Sequence, residues 1–364
     1  MAVPSITAGI IARRPWYNPS WPYRVRLTVD YTKVAATLTD YPVYLSLTDL
    51  GSGHSFWTYA KSTCVDIRIT TSDGFTEVPR EVVFGDTTAK TGEVHFKASS
   101  LSSSANTIFY MYYGNAAASD YGATDTYGRN NTWNSSYVAV WHMQQDPSGS
   151  APQLLTSTTG SYDGTSLGSM TSGDLVAGKL AGYAYDFDGT NDAVTIPHNS
   201  VFDLVSNATI QCWVKTSDNT DYPRFVDKLD SLLLSGWDLF IDHTNSKARY
   251  LGFNVTAIVS VDTTTNVNDG TWRMITATAN AGATSKIYQN GALQATDAST
   301  GALATNTAKV TLGARQDGTL NFLTGLLDEV RISSVDRGAN WITTEYNNQN
   351  SSSTFYSLSS QEGI

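Results

Sequence analysis

Apolar and polar residues alternate with a period of two through most of this sequence, and this pattern restricts the fold more than any other feature. Val25, Leu27 and Val29 alternate with Arg or Thr, and several later segments repeat the pattern. Successive side chains of a strand point to opposite faces, so each segment can bury one face. The sequence predicts an all-β protein of two antiparallel β-sandwich domains, with short helices only, near 55–60 and 336–347.

The 364 residues are enough for two domains, each with its own core. We expect an N-terminal arm at 1–22, because its prolines prevent regular structure. A β-sandwich should follow at 23–127, then a polar linker at 128–136. A second sandwich with a short C-terminal helix should occupy 137–364, and Asp336 is a reasonable cap for that helix.

The arm contains aromatic and basic side chains that form a candidate assembly surface, namely Arg13, Arg14, Trp16, Tyr17 and Trp21. Exposed Trp side chains on a proline-rich segment would be unfavourable, so we expect them to dock. Two docking partners are open at this point: the first domain of the same chain, or a neighbouring subunit.

Two strand-like passages carry clusters of acidic residues, at 185–196 and 325–333. In the first, Tyr185 and Phe187 should point to one face while Asp186 and Asp188 point to the other. In the second, the spacing of apolar residues slips by one position across Asp328-Glu329. Such a slip predicts a β-bulge.

Two further signatures lie between these passages. The segment 268–272 (NDGTW) is a turn that leads into a strand, and Asn290-Gly291 is a strong signal for a type I′ hairpin turn. In this order, the four features resemble the laminin-G-like modules of the concanavalin-A-like jelly-roll superfamily, from about 138 to the C-terminus. The resemblance implies that the second domain is a jelly roll.

The first domain carries a different resemblance, in the segments 66–74 (DIRITTSDG), 79–81 (PRE) and 112–115 (YYGN). These segments are similar to an uncharacterised β-domain family that commonly precedes laminin-G-like modules in bacterial, archaeal and phage proteins. The resemblance implies an architecture but no established chemistry.

The laminin-G-like resemblance also implies a calcium site at the rim of the sandwich. The positions that match the family's acidic motifs are Asp186, Asp188, Asn191, Asp192 and Asp328. Calcium takes six to eight oxygen ligands in flexible geometry, which loop carboxylates supply. The alternative is that Asp188 and Asn191 only form the turn.

The sequence argues against an enzyme. Sugar hydrolysis usually needs two carboxylates that face one cleft, and the Glu-x-Asp-x-Glu strand of concanavalin-like hydrolases does not occur. The five histidines are isolated in sequence without metal-ligand spacing, and no Gly-x-Ser-x-Gly element occurs. Tyr222 and Trp237 are flanked by Asp or Gly, and we expect them to form an exposed platform for sugar binding.

Composition excludes some partners. The formal net charge is −10 and no run of Lys or Arg stands out, which argues against nucleic acid. No apolar run is long enough to insert into a membrane. Cys64 and Cys212 fall in different predicted domains, so we expect two buried free thiols.

These observations predict a non-enzymatic structural or adhesive protein of a virus particle, such as a bacteriophage decoration, fibre or tail component. The apolar run at 6–12 is too short for a signal peptide, and free cysteines suit assembly in a host cytoplasm. The expected partners are other virion proteins, bound through the arm in an oligomeric assembly, and a surface carbohydrate. The alternatives are a free or cell-surface lectin exported by a non-classical route, and a glycoside hydrolase or lyase of concanavalin-like fold.

Overall fold

The alternating segments form antiparallel strands, which confirms the predicted all-β fold class. The computed structural model describes residues 16–149, 152–218, 220–232, 234–298, 301–315 and 317–364. Of the predicted arm residues, Arg13 and Arg14 lie outside this part of the chain.

The first domain contains seven strands from the first third of the chain. They are β1 (Tyr23–Val29), β2 (Leu38–Ser46), β3 (Arg68–Thr71), β4 (Glu77–Val78), β5 (Arg80–Asp86), β6 (Thr91–Leu101) and β7 (Thr107–Tyr113). One sheet has the order β1-β7-β3-β4, and a smaller sheet has the order β2-β6-β5. The short helices are α1 (Phe56–Tyr59), at the predicted place, and α2 (Arg129–Thr132), within the predicted linker.

The second domain begins at β8 (Tyr137–Trp141). Its next strands are β9 (Thr165–Leu167), β10 (Leu175–Ala177), β11 (Tyr183–Asp188), β12 (Ala193–Ile196), β13 (Asn207–Lys215), β14 (Arg224–Leu229) and β15 (Ser235–Asp242). The remainder are β16 (Lys247–Asn254), β17 (Thr256–Asn266), β18 (Arg273–Asn280), β19 (Thr284–Gln289), β20 (Ala292–Ala298), β21 (Val310–Leu312) and β22 (Thr324–Ser333).

These strands form two large sheets that enclose one apolar core. An eight-stranded sheet has the order β10-β11-β22-β13-β18-β19-β20, with β8 also paired to β22. A seven-stranded sheet has the order β17-β16-β15-β14-β21-β12-β9. Short 3-10 turns occur at Tyr31–Lys33, Leu47–Leu50, Ser172–Asp174 and Ser200–Phe202.

The C-terminal segment returns to the first domain. After β22 the chain forms α3 (Ala339–Asn350) and α4 (Ser352–Phe355), and then β23 (Tyr356–Leu358) and β24 (Glu362–Gly363). Both final strands pair with β1. The sequence-based boundary placed all of 137–364 in the second domain, but the last strands complete the sheet of the first domain by covering an edge of β1 that would otherwise be unpaired.

Two local predictions are confirmed by backbone geometry. The register between β13 and β22 shifts at Asp328-Glu329, and Glu329 has a φ of 50°, as expected for a bulge. Asn290 and Gly291 both have positive φ, at 53° and 77°, as a type I′ turn requires.

One local prediction is wrong, because α3 is capped at Gly338 and the Asp336 side chain instead contacts Lys286 and Asn280.

The two domains share a buried interface. Tyr44 of β2 packs in one apolar cluster with Trp213 of β13 and Ile342 of α3. Tyr137 and Val140 of β8 belong to the same apolar cluster as the core of the first domain. Part of the outer face of the eight-stranded sheet is therefore covered by the β2-β6-β5 sheet and by α3.

Two further expectations concern the whole chain. Cys64 and Cys212 are buried and unpaired, as expected. Among the residues that the structure describes, no helix has the length and apolar character needed to cross a membrane.

We predict that Phe355→Ala destabilises the protein by about 3–5 kcal/mol, because Phe355 is fully buried in the core of the first domain and its loss leaves a cavity. Urea unfolding measures the free energy of unfolding. The matched control is Phe75→Ala, whose side chain is 57% exposed and whose loss should change that free energy by about 0.5 kcal/mol or less. Equal effects of the two substitutions would contradict the assignment of the C-terminal segment to the first domain.

Candidate functional site

A buried cluster of histidine and glutamate side chains lies between the two domains. It consists of Glu93, His95, His142 and Glu329, called here the histidine–glutamate cluster. Each residue contributes one nitrogen or oxygen atom, and these four atoms lie within 4.8 Å of one another. All four side chains are 3% exposed or less. Among the described residues, this is the one group of three or more His, Cys, Asp or Glu with such an arrangement.

Strand geometry explains why these side chains meet. Glu93 and His95 are two residues apart on β6, so they point to the same face. On the other side of the interface, β22 pairs with β11 up to Leu327 and with β8 from Val330. The bulge lies between these two pairings and turns Glu329 away from the core, towards the first domain. His142 directly follows β8, and its side chain lies next to that of Glu329.

The contacts within the cluster are short. His95 Nε2 lies 3.0 Å from Glu93 Oε1, and His142 Nδ1 lies 3.5 Å from the same oxygen. His142 Nδ1 is also hydrogen-bonded to Glu329 Oε1. The centroids of the two imidazole rings are 4.9 Å apart, with an angle of 25° between the ring planes.

The surroundings of the cluster shift the pKa values of its four groups in different directions. Burial disfavours the imidazolium of His142, but the carboxylates of Glu329 and Glu81 outweigh it and raise the pKa of His142 well above its usual value. Burial and the neighbouring His142 lower the pKa of His95 well below its usual range. Burial and Glu329 raise the pKa of Glu93. The pKa of Glu329 is lowered despite burial, because His142 and Arg331 stabilise its charge.

Further buried groups orient the cluster. Arg331 donates to Glu329 and, through Nη1, to Glu345 of α3. Its guanidinium lies 5.0 Å from the ring centre of Trp133, so an aromatic face completes its surroundings. Glu81 accepts hydrogen bonds from Trp133 Nε1 at 2.8 Å and from Ser157 Oγ at 2.6 Å. Trp133 lies in the predicted linker, which is therefore part of the interface.

A polar cavity of about 330 Å³ adjoins the cluster. Its lining includes Glu81 and His142, so it reaches the histidine–glutamate cluster from one side. The other polar residues in its wall are Arg80, Asp120, Tyr121, Arg129, Gln145 and Ser157.

The cluster was not predicted from the sequence, because the five histidines are isolated there. Two signals were available in the sequence. Glu93 and His95 have the spacing that puts both on one face of a strand, and the bulge at Asp328-Glu329 marks a place where an acidic side chain leaves the core pattern. Neither signal indicates that β6, β8 and β22 meet.

The predicted calcium residues near the first acidic passage form a tight turn. Asp188 Oδ1 accepts the backbone N–H groups of Thr190 at 2.7 Å, Asn191 at 3.1 Å and Asp192 at 3.4 Å. Asp192 Oδ2 in turn accepts the N–H of Asp188 at 3.1 Å. Burial, followed by neighbouring carboxylates, raises the pKa of Asp186, and burial raises that of Asp192 to about 6. This region is called here the acidic rim (Asp186, Asp188, Asn191 and Asp192).

Asp328 lies apart from the acidic rim. The residue opposite Asp188 on β22 is Thr324, so Asp328 is four positions, or about 13 Å, further along the strand. Its carboxylate is buried and accepts the N–H groups of Lys179 at 2.8 Å and Leu180 at 3.3 Å. Burial, together with the charge of Glu329, raises the pKa of Asp328 to about 8. The predicted set of five residues therefore does not form one site.

An open groove lies next to the acidic rim, on the outer face of the eight-stranded sheet. It has a volume of about 580 Å³ and runs between the end of β13 and the start of β22. Its polar side chains are Asp186, Lys215, Thr216, Ser217, Asp218 and Thr324. It is called here the strand-end groove.

The predicted aromatic platform is wrong at Trp237. This side chain is 1% exposed, belongs to the core of the second domain and donates its Nε1–H to Phe202 O at 3.0 Å. Its place on the inward-facing side of β15 overrides its neighbouring Gly and Asp. Tyr222 is partly buried and packs against the ring of His243, with 4.0 Å between ring centroids. The two aromatic residues do not form a shared exposed surface.

The described part of the arm packs on the first domain of its own chain. Trp21 Nε1 donates to Asp66 O at 2.6 Å, and the Tyr17 hydroxyl donates to Glu77 at 2.6 Å. The guanidinium of Arg24 lies 4.6 Å from the ring centre of Trp16. Of the two docking partners considered from sequence, the chain's own first domain is the one observed for Trp16, Tyr17 and Trp21.

The second domain is similar to a known protein family. Residues 188–343 match the Laminin_G_3 family model, described as the Concanavalin A-like lectin/glucanases superfamily. The C-terminal domain is therefore a concanavalin-A-like domain, as the acidic strands and turns predicted. Comparison with curated protein sequences gives no match.

Solved structures show similarity over more than half of the chain. The binding domain of Paraclostridial Mosquitocidal Protein 1 has 15% sequence identity and a TM-score of 0.45, covering 58% of this chain and 52% of that chain. The binding domain of botulinum neurotoxin serotype C1 has 14% identity and a TM-score of 0.46, covering 59% and 52%. This chain thus spans about half the length of each of these structures.

Proposed function

We propose that this protein is a non-enzymatic surface-binding protein whose concanavalin-A-like domain binds carbohydrate in the strand-end groove. The superfamily description names lectins and glucanases, two classes of protein that act on sugars. The observation that carries the proposal is the chemistry of the groove. Its carboxylates accept hydrogen bonds, Lys215 donates them, and the Ser and Thr hydroxyls do both, which matches the hydroxyl groups of a sugar.

A second candidate is glycoside hydrolysis, favoured by one observation. Asp186 and Asp218 both line the strand-end groove, and the pKa of Asp186 is raised by burial and by the nearby carboxylates of Asp174 and Asp188. A carboxyl group with a raised pKa is suited to act as a general acid, and a second carboxylate could act as its partner. The two candidates use the same groove and differ in whether the sugar is cleaved.

We predict that the protein binds a subset of glycans on an array, and that Ser217→Trp weakens this binding by about tenfold or more, equivalent to about 1.4 kcal/mol, because the indole occupies the groove. The matched control is Ser52→Trp, at an exposed serine of the first domain, which should bind like the wild type. Equal binding by both variants, or no glycan binding by the wild type, would contradict the proposal. Release of reducing sugar that Asp186→Asn abolishes would establish the hydrolase instead.

We also propose that the acidic rim binds calcium beside this groove. Three carboxylates and an amide lie within the seven residues 186–192, at the end of β11 and in the turn after it, and the raised pKa values of Asp186 and Asp192 indicate that a cation would relieve unfavourable charge there. Asp188 Oδ1 also accepts backbone hydrogen bonds from Thr190 and Asn191, so this carboxylate would serve both the turn and the ion.

We predict that calcium raises the melting temperature of the wild type and that a chelator lowers it, because an ion bound only to the folded state stabilises it. Asp188→Asn retains a side-chain oxygen for the turn but removes the charge, so it should lose this calcium effect. Asp86→Asn is the control, because Asp86 accepts two backbone N–H groups in a similar turn on the first domain. A melting temperature that does not respond to calcium or chelator rules out the site.

We propose that the protein is a structural or adhesive component at the surface of a virus particle, with residues 1–15 as the anchor to other virion proteins. Two observations support this. The two buried free thiols suit a protein that folds in a reducing compartment. Tyr17 and Trp21 dock on the first domain, whereas the strand-end groove lies on the second domain.

We predict that removal of residues 1–15 leaves the fold intact and abolishes assembly. The truncation is placed before Trp16 because Trp16, Tyr17 and Trp21 contact the first domain, so a cut at residue 22 would damage its packing. Light scattering and electron microscopy measure assembly, and circular dichroism checks the fold. A monomeric full-length protein, or a truncated protein that assembles like the wild type, would refute the anchor.

A further inference from the structure

The histidine–glutamate cluster has the donor groups of a transition-metal site. Two imidazole nitrogens and two carboxylate oxygens converge from β6, from the end of β8 and from the bulge of β22. We propose that Glu93, His95, His142 and Glu329 bind one divalent transition-metal ion, with zinc as the best match, between the two domains. This site is separate from the acidic rim and from the strand-end groove, and it does not depend on either proposed function.

The distances between donor atoms agree with a four-coordinate ion. Zinc bonds of about 2.0–2.1 Å in a tetrahedron place neighbouring ligand atoms about 3.3 Å apart. His95 Nε2 and Glu93 Oε1 are 3.0 Å apart, and His142 Nδ1 and Glu93 Oε1 are 3.5 Å apart. The hydrogen bond between His142 and Glu329 would be replaced by one bond from each residue to the ion.

The incomplete pairing of the Glu93 carboxylate provides a second observation. Glu93 is fully buried, its Oε1 contacts the imidazoles of His95 and His142, and its Oε2 has no hydrogen-bond partner. Buried charges in proteins are paired or coordinate a metal ion. A cation bound between Glu93 and the two imidazoles would supply the compensation that hydrogen bonding leaves incomplete at this carboxylate.

The groups around the cluster are those that orient metal ligands. A ligating histidine usually directs its other ring nitrogen to a carboxylate or carbonyl. With Nδ1 on the ion, His142 Nε2 faces Glu81 Oε2 at 3.4 Å, and Trp133 and Ser157 hold Glu81 in place. Glu329 Oε2 is held by Arg331 Nε at 3.0 Å, which leaves Oε1 for the ion.

The position of the cluster indicates a structural ion rather than a catalytic one. Four protein ligands fill a tetrahedral site, whereas catalytic zinc keeps one position open. Two ligands come from each domain, so the ion would join the β2-β6-β5 sheet to the eight-stranded sheet. The adjoining polar cavity, which His142 and Glu81 line, provides an entry path.

The test uses the full-length chain after removal of metal with a chelator, with calcium present throughout so that the acidic rim is not a competing site. Zinc uptake is measured by elemental analysis and titration calorimetry, and cobalt is used as a spectroscopic probe of coordination geometry. We expect one zinc ion per chain, a rise in melting temperature with zinc, and a tetrahedral cobalt spectrum.

Variants of two ligands and one control separate ligation from fold. Removing a group that only orients a ligand weakens metal binding by about 10- to 100-fold, so Glu93→Gln and His95→Gln, which remove a ligand, should weaken zinc binding by about 100-fold or more. The control is His198→Gln, at an exposed histidine, which should bind zinc like the wild type.

Two results would overturn the proposal. One is that the wild-type chain takes up no zinc and shows no tetrahedral cobalt spectrum. This result does not depend on whether any variant folds. The other is zinc binding by Glu93→Gln and His95→Gln that equals that of the wild type, with circular dichroism showing that both are folded.

Discussion

The charged network at the domain interface depends on one backbone irregularity, the bulge at Asp328-Glu329 in β22. Without the extra residue, Glu329 would alternate into the apolar core, where a carboxylate has no partner. With it, Leu327 and Val330 both remain in the core while Glu329 and Arg331 both face the first domain. The bulge also lies where β22 changes its partner from β11 to β8, so it brings His142 to the same point.

The network constrains how the two domains pack. Arg331 is buried between Glu329 and Glu345, so each charge has an opposite charge within contact distance. Loss of one member of such a buried network usually costs about 3–5 kcal/mol, because its partner remains charged without compensation. Contacts of this kind depend on direction, so they restrict the relative orientation of the two sheets more than the apolar contacts of Tyr44 and Trp213 do.

Covalent connectivity strengthens the same arrangement. The chain leaves the first domain through the linker, forms the second domain, and then returns through α3 to pair β23 and β24 with β1. Arg24 of β1 forms an ion pair with Glu362 at 2.8 Å, so the start of the first strand and the end of the chain are joined. The first domain is therefore complete only when the second has folded between its parts, which couples the stability of the two.

The sequence alone determined the features that depend on near neighbours. Alternation defined the strands, Asn290-Gly291 defined a hairpin turn, and the slip in apolar spacing located the bulge, because each is set by local backbone geometry. The order of these features was enough to identify the concanavalin-A-like domain. Local flanking residues were misleading for Trp237, whose burial depends on which face of β15 meets the opposite sheet.

Only the tertiary structure decided which distant groups meet. Glu93 and Glu329 are 236 positions apart in sequence (329 − 93), and nothing local to either residue indicates that β6 and β22 lie on two sides of one interface. The same holds for Asp188 and Asp328, which the sequence suggested would meet and which strand register separates. The physical reason is that strand pairing and sheet packing depend on the complementarity of whole faces, which a local pattern does not contain.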